Sequence, residues 1–398
     1  MINQNKKYLS IYLFILFLFS IIFLYSKHQV GNDSTISEWL INYEGGFTKR
    51  GITGQFAIEL ARFFDLNLRL IIFILQSLFS AIYFLLLNNF LKNLKNERLV
   101  ILAIFTPIFI LYPIAEIEVL ARKEIIVFSL FLTHLIVPVK SKFKIFSLTI
   151  FLSLGILIWE PIIFFYPLIL VHEIIIHNIK KLNQEFYKII LSFVPSLIIA
   201  YYIATNPISE NDHKFMAQIL KEEFAQNCYM SCQLLLSKSS IYQQFQGNFI
   251  SYSTVVFIRY SIIIIFGFYP LVCIIINSSF NNKKNFLNFY FKDLKPEILL
   301  FSILPVIILF AMGVDWGRWV NITYVMLFLV YFNLLKNDYI NLNHENLKSN
   351  ILNKLNKKIF ILFFIIYCFG WNPKTVITGD VASFPGYRIP YKIFKILF

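Results

Sequence analysis

Apolar residues in this chain come in long blocks and not in strict alternation. Runs reaching roughly 17–25 residues recur along it, about the length a helix needs to cross a hydrocarbon layer. The pattern predicts about eleven helical spans, near 9–25, 68–88, 99–113, 125–139, 145–159, 161–176, 189–204, 255–277, 298–314, 319–335 and 358–371. The 145–176 region reads either as two short helices meeting at Trp159-Glu160-Pro161 or as one long broken helix. No small-x-small cleavage site follows the first run, which continues Ser26-Lys-His-Gln-Val30, so it is read as an uncleaved span. The expectation is an all-α polytopic bundle forming a single membrane domain over 1–398.

Two polar segments are long. Segment 26–67 holds an amphipathic stretch, about Gly54 to Phe64, expected to lie as a helix at the membrane surface. Segment 205–254 reads as partly helical around Lys214 to Phe224 and fits a lid. The tail 372–398 is basic and aromatic enough to rest on a membrane. No repeat period or low-complexity segment is visible.

Composition agrees. Of 398 residues 58% are hydrophobic, 45 are Phe, and only 15% are charged. The formal charge of +14 would suggest nucleic acid in a soluble protein. In a membrane chain it follows from basic residues collecting in cytoplasmic loops, and no nucleic-acid partner is expected. With the N-terminus inside, twenty of the 36 Lys and Arg fall in cytoplasmic segments, while about fifteen of the 22 acidic residues fall opposite. That bias predicts an N-in, C-out, multi-pass protein, with 26–67 and 205–254 outside. Trp39, Trp159, Trp316, Trp319 and Trp371 also fall on or near the outer side, where flat rings would suit sugars. Cys273 and Cys368 read as packing residues, whereas Cys228 and Cys232 share an outer loop that permits a disulfide.

Charge concentrates in four knots on the outer side. Tyr43-Glu-Gly-Gly-Phe-Thr-Lys-Arg-Gly51 combines flexible glycines with Glu44, Lys49 and Arg50, a mixture suited to cradling an anion. Its bland alternatives are a loop with solvated charges, or Glu44 paired with Arg50 for structure. In Glu118-Val-Leu-Ala-Arg-Lys-Glu124, Arg122 and Lys123 are candidate phosphate ligands, and a helical Glu118–Arg122 pair is the rival reading. Trp159-Glu160-Pro161 sets a carboxylate near hydrocarbon, where burial would tune it as acid or base, unless it only caps the next helix. Asp315-Trp-Gly-Arg-Trp319 sets Asp315 and Arg318 three apart, either as a hairpin ion pair or as a substrate wall with Trp316. Gly317 would let another group approach closely.

His172-Glu173, at an inner span end, reads as interfacial, and His134 as a packed or hydrogen-bonded histidine. Asn321-Ile-Thr323 matches a glycosylation sequon but sits inside a predicted span. No HExxH, P-loop, GxSxG or dinucleotide fingerprint appears, which argues against zincins, ATPases and serine hydrolases.

The architecture resembles the membrane-embedded glycosyltransferases of the C-type superfold, including bacterial surface-polysaccharide polymerases. The similarity lies in the first outer loop with its interface helix and in the placement of Tyr43–Phe47, Arg122–Glu124 and Asp315–Arg318. The resemblance implies a bacterial plasma-membrane enzyme taking sugars from polyprenyl phosphate or diphosphate carriers at the outer face, for a glycan or lipid acceptor. Lys49, Arg50, Arg122, Lys123 and Arg318 would hold the carrier, with Asp315, Trp159 and Trp316 shaping the site. Many such enzymes carry a paired acidic motif in the first outer loop. Here Asp33, Glu38 and Glu44 are separated, so Glu44, Asp33 and Glu160 all stand as candidates for the base. No cofactor is predicted, although a divalent cation beside a diphosphate is compatible with these residues. The rival classes are a transporter or flippase of lipid-linked saccharides, and a non-catalytic envelope scaffold.

Overall fold

The computed structural model describes residues 2–30, 34–92, 94, 97–227, 229–236, 241–281, 295–343 and 351–377. Helix dominates these residues, together with a two-stranded antiparallel ladder that pairs Ser278–Phe280 with Ile340–Leu342. Among the described residues five helices are long and apolar enough to cross a membrane: Lys7–Gln29, Leu68–Leu91, Gln184–Thr205, Thr254–Ile276 and Trp316–Lys336. Glu124–Ile136, Phe143–Ile158 and Ile298–Met312 are apolar but shorter.

Several apolar runs are broken where proline interrupts them. The helix of the run 99–113 stops at Phe105, because Thr106 turns extended before Pro107, and helix resumes only at Tyr112–Ala115. Carbonyls released by the break are taken up elsewhere. Asn321 Nδ2 donates to the carbonyls of Ile108 and Phe109 at 2.8 and 3.0 Å. The sequon asparagine is therefore a buried structural donor. The run 298–314 splits around Pro305 into Ile298–Phe301, Leu304–Val306 and Ile307–Met312. The ambiguous 145–176 region resolves into Phe143–Ile158, a 3-10 turn Glu160–Phe165, and Tyr166–Ile176.

The chain divides into two compact units: Met1–Lys92, Ile117–Ile163 and Tyr187–Ser239 form one; Asn93–Glu116, Phe164–Phe186 and Ser240–Phe398 form the other. In the first unit Ile2–Gln29, Leu68–Leu91, Glu124–Ile136 and Phe143–Ile158 pack in that order as a row. Ser10 Oγ bonds Asn88 Oδ1 at one end of the first pair, and Arg69 Nε bonds the His28 carbonyl at the other, so these helices run antiparallel. The Gly51–Phe64 helix packs on Leu68–Leu91 and Phe143–Ile158. It buries small residues, including Gly51, Gly54, Ala57 and Ala61, and exposes Phe56, Phe63 and Phe64. A Cβ on Gly54 would lie 2.0 Å from the Ile41 carbonyl oxygen, so only glycine permits this seat. The observed helix includes the expected Gly54–Phe64 stretch and starts three residues earlier.

The expected helix near 214–224 spans Glu210–Phe224, with the Ser209 side chain capping its N-terminus by accepting from the Asp212 amide. Met216 joins Ile41, Ile208, Cys232 and Leu235 in a small core. A Cβ on Gly45 would sit 1.9 Å from the Asp212 carbonyl oxygen, so the helix start lies directly on the first charged knot. Cys232 is disulfide-bonded, and Cys228 lies outside the described residues. So does the tail beyond 377.

The second unit is built around Trp316–Lys336, a helix buried along nearly all its length. Thr254–Ile276 and Tyr166–Ile176 pack against it. It is the least apolar of the five long helices. Its polar groups are used internally: besides Asn321, Tyr324 donates to the Ala103 carbonyl at 2.7 Å.

Candidate functional site

The first unit gathers buried charge where its first span ends, its second begins, and Glu124–Ile136 starts. The centre is Glu38, on the short helix Ser34–Trp39, with 0% of its surface exposed. Arg122 grips it with both edges of a fork, Nε to Oε2 and Nη2 to Oε1, each at 3.0 Å. Arg50 Nη1 reaches Glu38 Oε1 at 3.1 Å. The other edge of Arg50 clasps Glu160, Nε to Oε2 at 2.7 Å and Nη2 to Oε1 at 2.8 Å. The result is a ladder running Arg122, Glu38, Arg50, Glu160. Its Glu38 end is dry, whereas Arg50 and Glu160 have side chains 20% and 25% exposed. Solvent therefore meets the ladder at the Arg50–Glu160 fork.

Backbone strain sits at both arginine-bearing turns. Arg50, the residue before the Gly51–Phe64 helix, has φ of 62°, and Ala121 has φ of 48°. Left-handed backbone costs a residue with a Cβ roughly 1–2 kcal/mol. Specific bonds hold each turn. Lys123 Nζ donates to the Arg50 carbonyl. Trp39 Nε1 and Gln76 Nε2 both donate to the Ala121 carbonyl, at 3.1 and 3.3 Å. Strain held by surrounding bonds is common where a fixed geometry serves function.

The electrostatics follow from burial and neighbours. Desolvation pushes the Glu160 carboxyl up, but the Arg50 charge and hydrogen bonds, helped by Lys49, outweigh it and hold it below its usual range. Burial lowers Lys49, with Glu160 opposing and Arg50 assisting. Lys123 is 0% exposed, and burial lowers its ammonium to about 7 against the pull of Glu38.

Several expected site residues lie elsewhere. Glu44 does not pair with Arg50 through any bond seen here. It accepts a fork from Arg62, Nη1 to Oε1 at 2.9 Å and Nη2 to Oε2 at 3.0 Å, plus Gln55 at 2.8 Å. Arg62 also clasps Glu223 of the 210–224 helix at 2.6 and 2.7 Å. Arg62 holds the Glu44 carboxyl below its usual range. The expected helical pair Glu118–Arg122 has no helix to form on: Ile117–Val119 is a 3-10 turn, Ala121 reverses the backbone, and Glu118 is exposed. Asp33 lies outside the described residues. Trp159 is buried immediately before Glu160, so its ring is a packing surface. Trp39 is buried too.

Asp315, Trp316 and Arg318 belong to the second unit. Arg318 Nη1 lies 3.4 Å from Asp315 Oδ2, the pair expected from their spacing. The close approach at Gly317 is made by the chain itself, whose Gly317 amide donates to the Thr375 carbonyl at 3.1 Å. Trp316 is boxed by Tyr252, Phe257, Tyr260 and Phe310 with ring centroids 5.3–5.7 Å away. His172 and Glu173, expected to meet water or headgroups, meet neither solvent nor a surface of the chain. Both are fully buried, with His172 Nδ1 2.8 Å from Glu173 Oε1 and Nε2 2.9 Å from Asn333 Oδ1.

The residue sequence reading passed over is Glu38. Its signal is a carboxylate inside the apolar string Ile36-Ser-Glu-Trp-Leu-Ile41, which folding buries with its neighbours. Arg50 and Arg122 offer planar donor forks, and both oxygens of Glu38, Glu160 and Glu44 already accept from guanidinium groups. Carboxylates committed in this way do not form a divalent-cation site. Comparison with protein-family profiles, curated proteins and solved structures finds no match.

Proposed function

We propose that this chain is a membrane-embedded glycosyltransferase of the polysaccharide-polymerase kind, with about eleven spans, N-in and C-out, in a bacterial plasma membrane. It takes a sugar from a polyprenyl phosphate or diphosphate carrier at the outer face. The observation that carries the reading is the Arg122–Glu38–Arg50–Glu160 ladder, dry at one end and open at the Arg50–Glu160 fork.

In this reading the carrier's phosphate displaces Glu160 from the Nε/Nη2 edge of Arg50, a geometry that fits two phosphate oxygens. Glu38 and Arg122 keep Arg50 aimed while this happens. The guanidinium then neutralises charge growing on the leaving phosphate as the sugar C1–O bond breaks. Glu160, released from Arg50, loses the cation that depressed its pKa, and its partial burial raises it. It becomes a competent base for the acceptor hydroxyl, whose oxygen attacks C1 while its proton moves to Glu160. Glu44 stays engaged with Arg62 and is not needed as base.

Arg50→Gln and Glu160→Gln should each reduce surface-glycan product at least about a hundredfold, the scale of a lost charge-stabilising or acid–base group, with protein levels unchanged. Wild-type product from both variants would sink the assignment.

One observation favours a second reading, transport of a lipid-linked saccharide. Fully buried His172 and Glu173 place charge deep in the second unit, at the end the sequence assigns to the cytoplasm. Purified protein in liposomes would then move a fluorescent polyprenyl-linked sugar between leaflets, and would do so without an acceptor.

A further inference from the structure

Lys123 is used by neither the ladder's forks nor the proposed transfer step. Its side chain is completely buried, and among the described residues its hydrogen bond is to the Arg50 carbonyl. An ammonium carries three donors, so a protonated Lys123 would leave two of them without acceptors in the dry interior. A neutral amine, donating once to the carbonyl, fits the resting geometry.

The charged groups around it explain why. Helix Ser34–Trp39 supplies Glu38, the first knot supplies Arg50, the Glu124–Ile136 helix supplies Glu124, and the 3-10 turn supplies Glu160; Lys49 and Arg122 add positive charge to the same cluster through Glu160 and Glu38. Glu38 and Glu160 are already committed to the arginines. No carboxylate oxygen is within ion-pair distance of Lys123 among the described residues. With Lys123 protonated, the cluster would hold four cations, Lys49, Arg50, Arg122 and Lys123, against the carboxylates of Glu38, Glu124 and Glu160.

An anion arriving at the open fork changes this balance. It brings negative charge and oxygen acceptors next to the Arg50 backbone to which Lys123 is bonded. We infer that an anion entering the Arg50–Arg122 cluster binds together with a proton taken up by Lys123. The resting site would then avoid an uncompensated buried cation, while the loaded site would gain one more positive charge against the phosphate. The ordinary ammonium range is shifted by burial into the range where such uptake is measurable. The inference rests on the anion-site reading above.

The test is calorimetric titration of the full-length protein in detergent with inorganic pyrophosphate, in buffers of different ionisation enthalpy. Wild type and Lys123→Met are compared at equal pH, so the ligand's own protonation cancels. At pH 8 wild type should take up close to one more proton than the variant. Between pH 7.5 and 8.5 its affinity should fall about tenfold more, as linkage of one proton requires. Lys123→Arg, permanently charged, should bind without the extra uptake and covers the case in which Lys123→Met fails to fold. Equal proton uptake in wild type and both variants would overturn the coupling while leaving the anion site intact. No pyrophosphate binding by wild type would overturn the anion-site reading, and the coupling with it.

Discussion

Arg50 is the residue on which the cluster turns. Its left-handed backbone starts a helix, its carbonyl takes the Lys123 amine, and its guanidinium spans two carboxylates. The sequence made Arg50, Arg122, Lys123 and Glu160 visible as candidates because charge beside apolar runs is conspicuous. It did not reveal their partners. Glu44 for Arg50 and Glu118 for Arg122 are the rival pairings the sequence offers, whereas Arg50 pairs with Glu38 and Glu160, and Arg122 with Glu38. Glu38 escaped because one carboxylate in an apolar string carries no spacing signal. Its central place gives a clear expectation. Glu38→Ala removes the carboxylate that compensates Arg122 and should destabilise the protein by about 3–5 kcal/mol, the usual cost of a broken buried ion pair, seen as a lower melting temperature in detergent. Lys123 sets the pH dependence. Its folded pKa of about 7 lies below the 10.5 of an unperturbed lysine, so between these values the unfolded chain holds the extra proton. Stability should therefore rise with pH across that window, by up to about 1.4 kcal/mol per unit, and the cost should be fully present below pH 7. Lys123→Met should flatten this slope relative to wild type; parallel curves would show that Lys123 does not titrate there.

At the scale of elements, the apolar pattern located helices well and their breaks poorly. The runs predicted at 68–88 and 255–277 fold as the helices Leu68–Leu91 and Thr254–Ile276, the second continuing through Pro270. Runs at 99–113 and 298–314 look equally apolar, yet Pro107 and Pro305 interrupt them, and Asn321 accepts the task of pairing the carbonyls released at Ile108 and Phe109. Hydropathy alone does not register a hydrogen-bond debt. The Gly51–Phe64 helix was legible as amphipathic, but its buried face is made of small residues that let it lie against the backbone near Ile41. The Glu210–Phe224 helix is held over the first knot partly by Arg62, which bridges Glu44 and Glu223. These side chains are partly exposed, so Arg62→Gln should cost less than about 1 kcal/mol of stability. It should nevertheless loosen that helix, giving faster proteolytic cleavage within 205–239 than in wild type. Unchanged cleavage would mean that Met216 packing and the Gly45 seat suffice.

On the scale of the whole molecule, composition identified a helix-rich chain with several helices able to cross a membrane, and five are long enough. By its contacts the chain divides into two compact units. That division interleaves segments from across the chain, so no composition shift or linker marks it. The charged knots divide with it: three supply the ladder in the first unit, and Asp315 with Arg318 pairs within the second. The central claim is that the ladder is an anion site for a lipid-carried phosphate. Its most direct test is binding of a short-chain polyprenyl diphosphate to the purified full-length protein. Arg50→Gln should weaken binding at least about tenfold, the effect of losing roughly 1.4 kcal/mol or more of charge-assisted bonding, while Lys221→Gln on the exposed 210–224 helix should bind as wild type does. Equal affinity for wild type and Arg50→Gln would contradict the account.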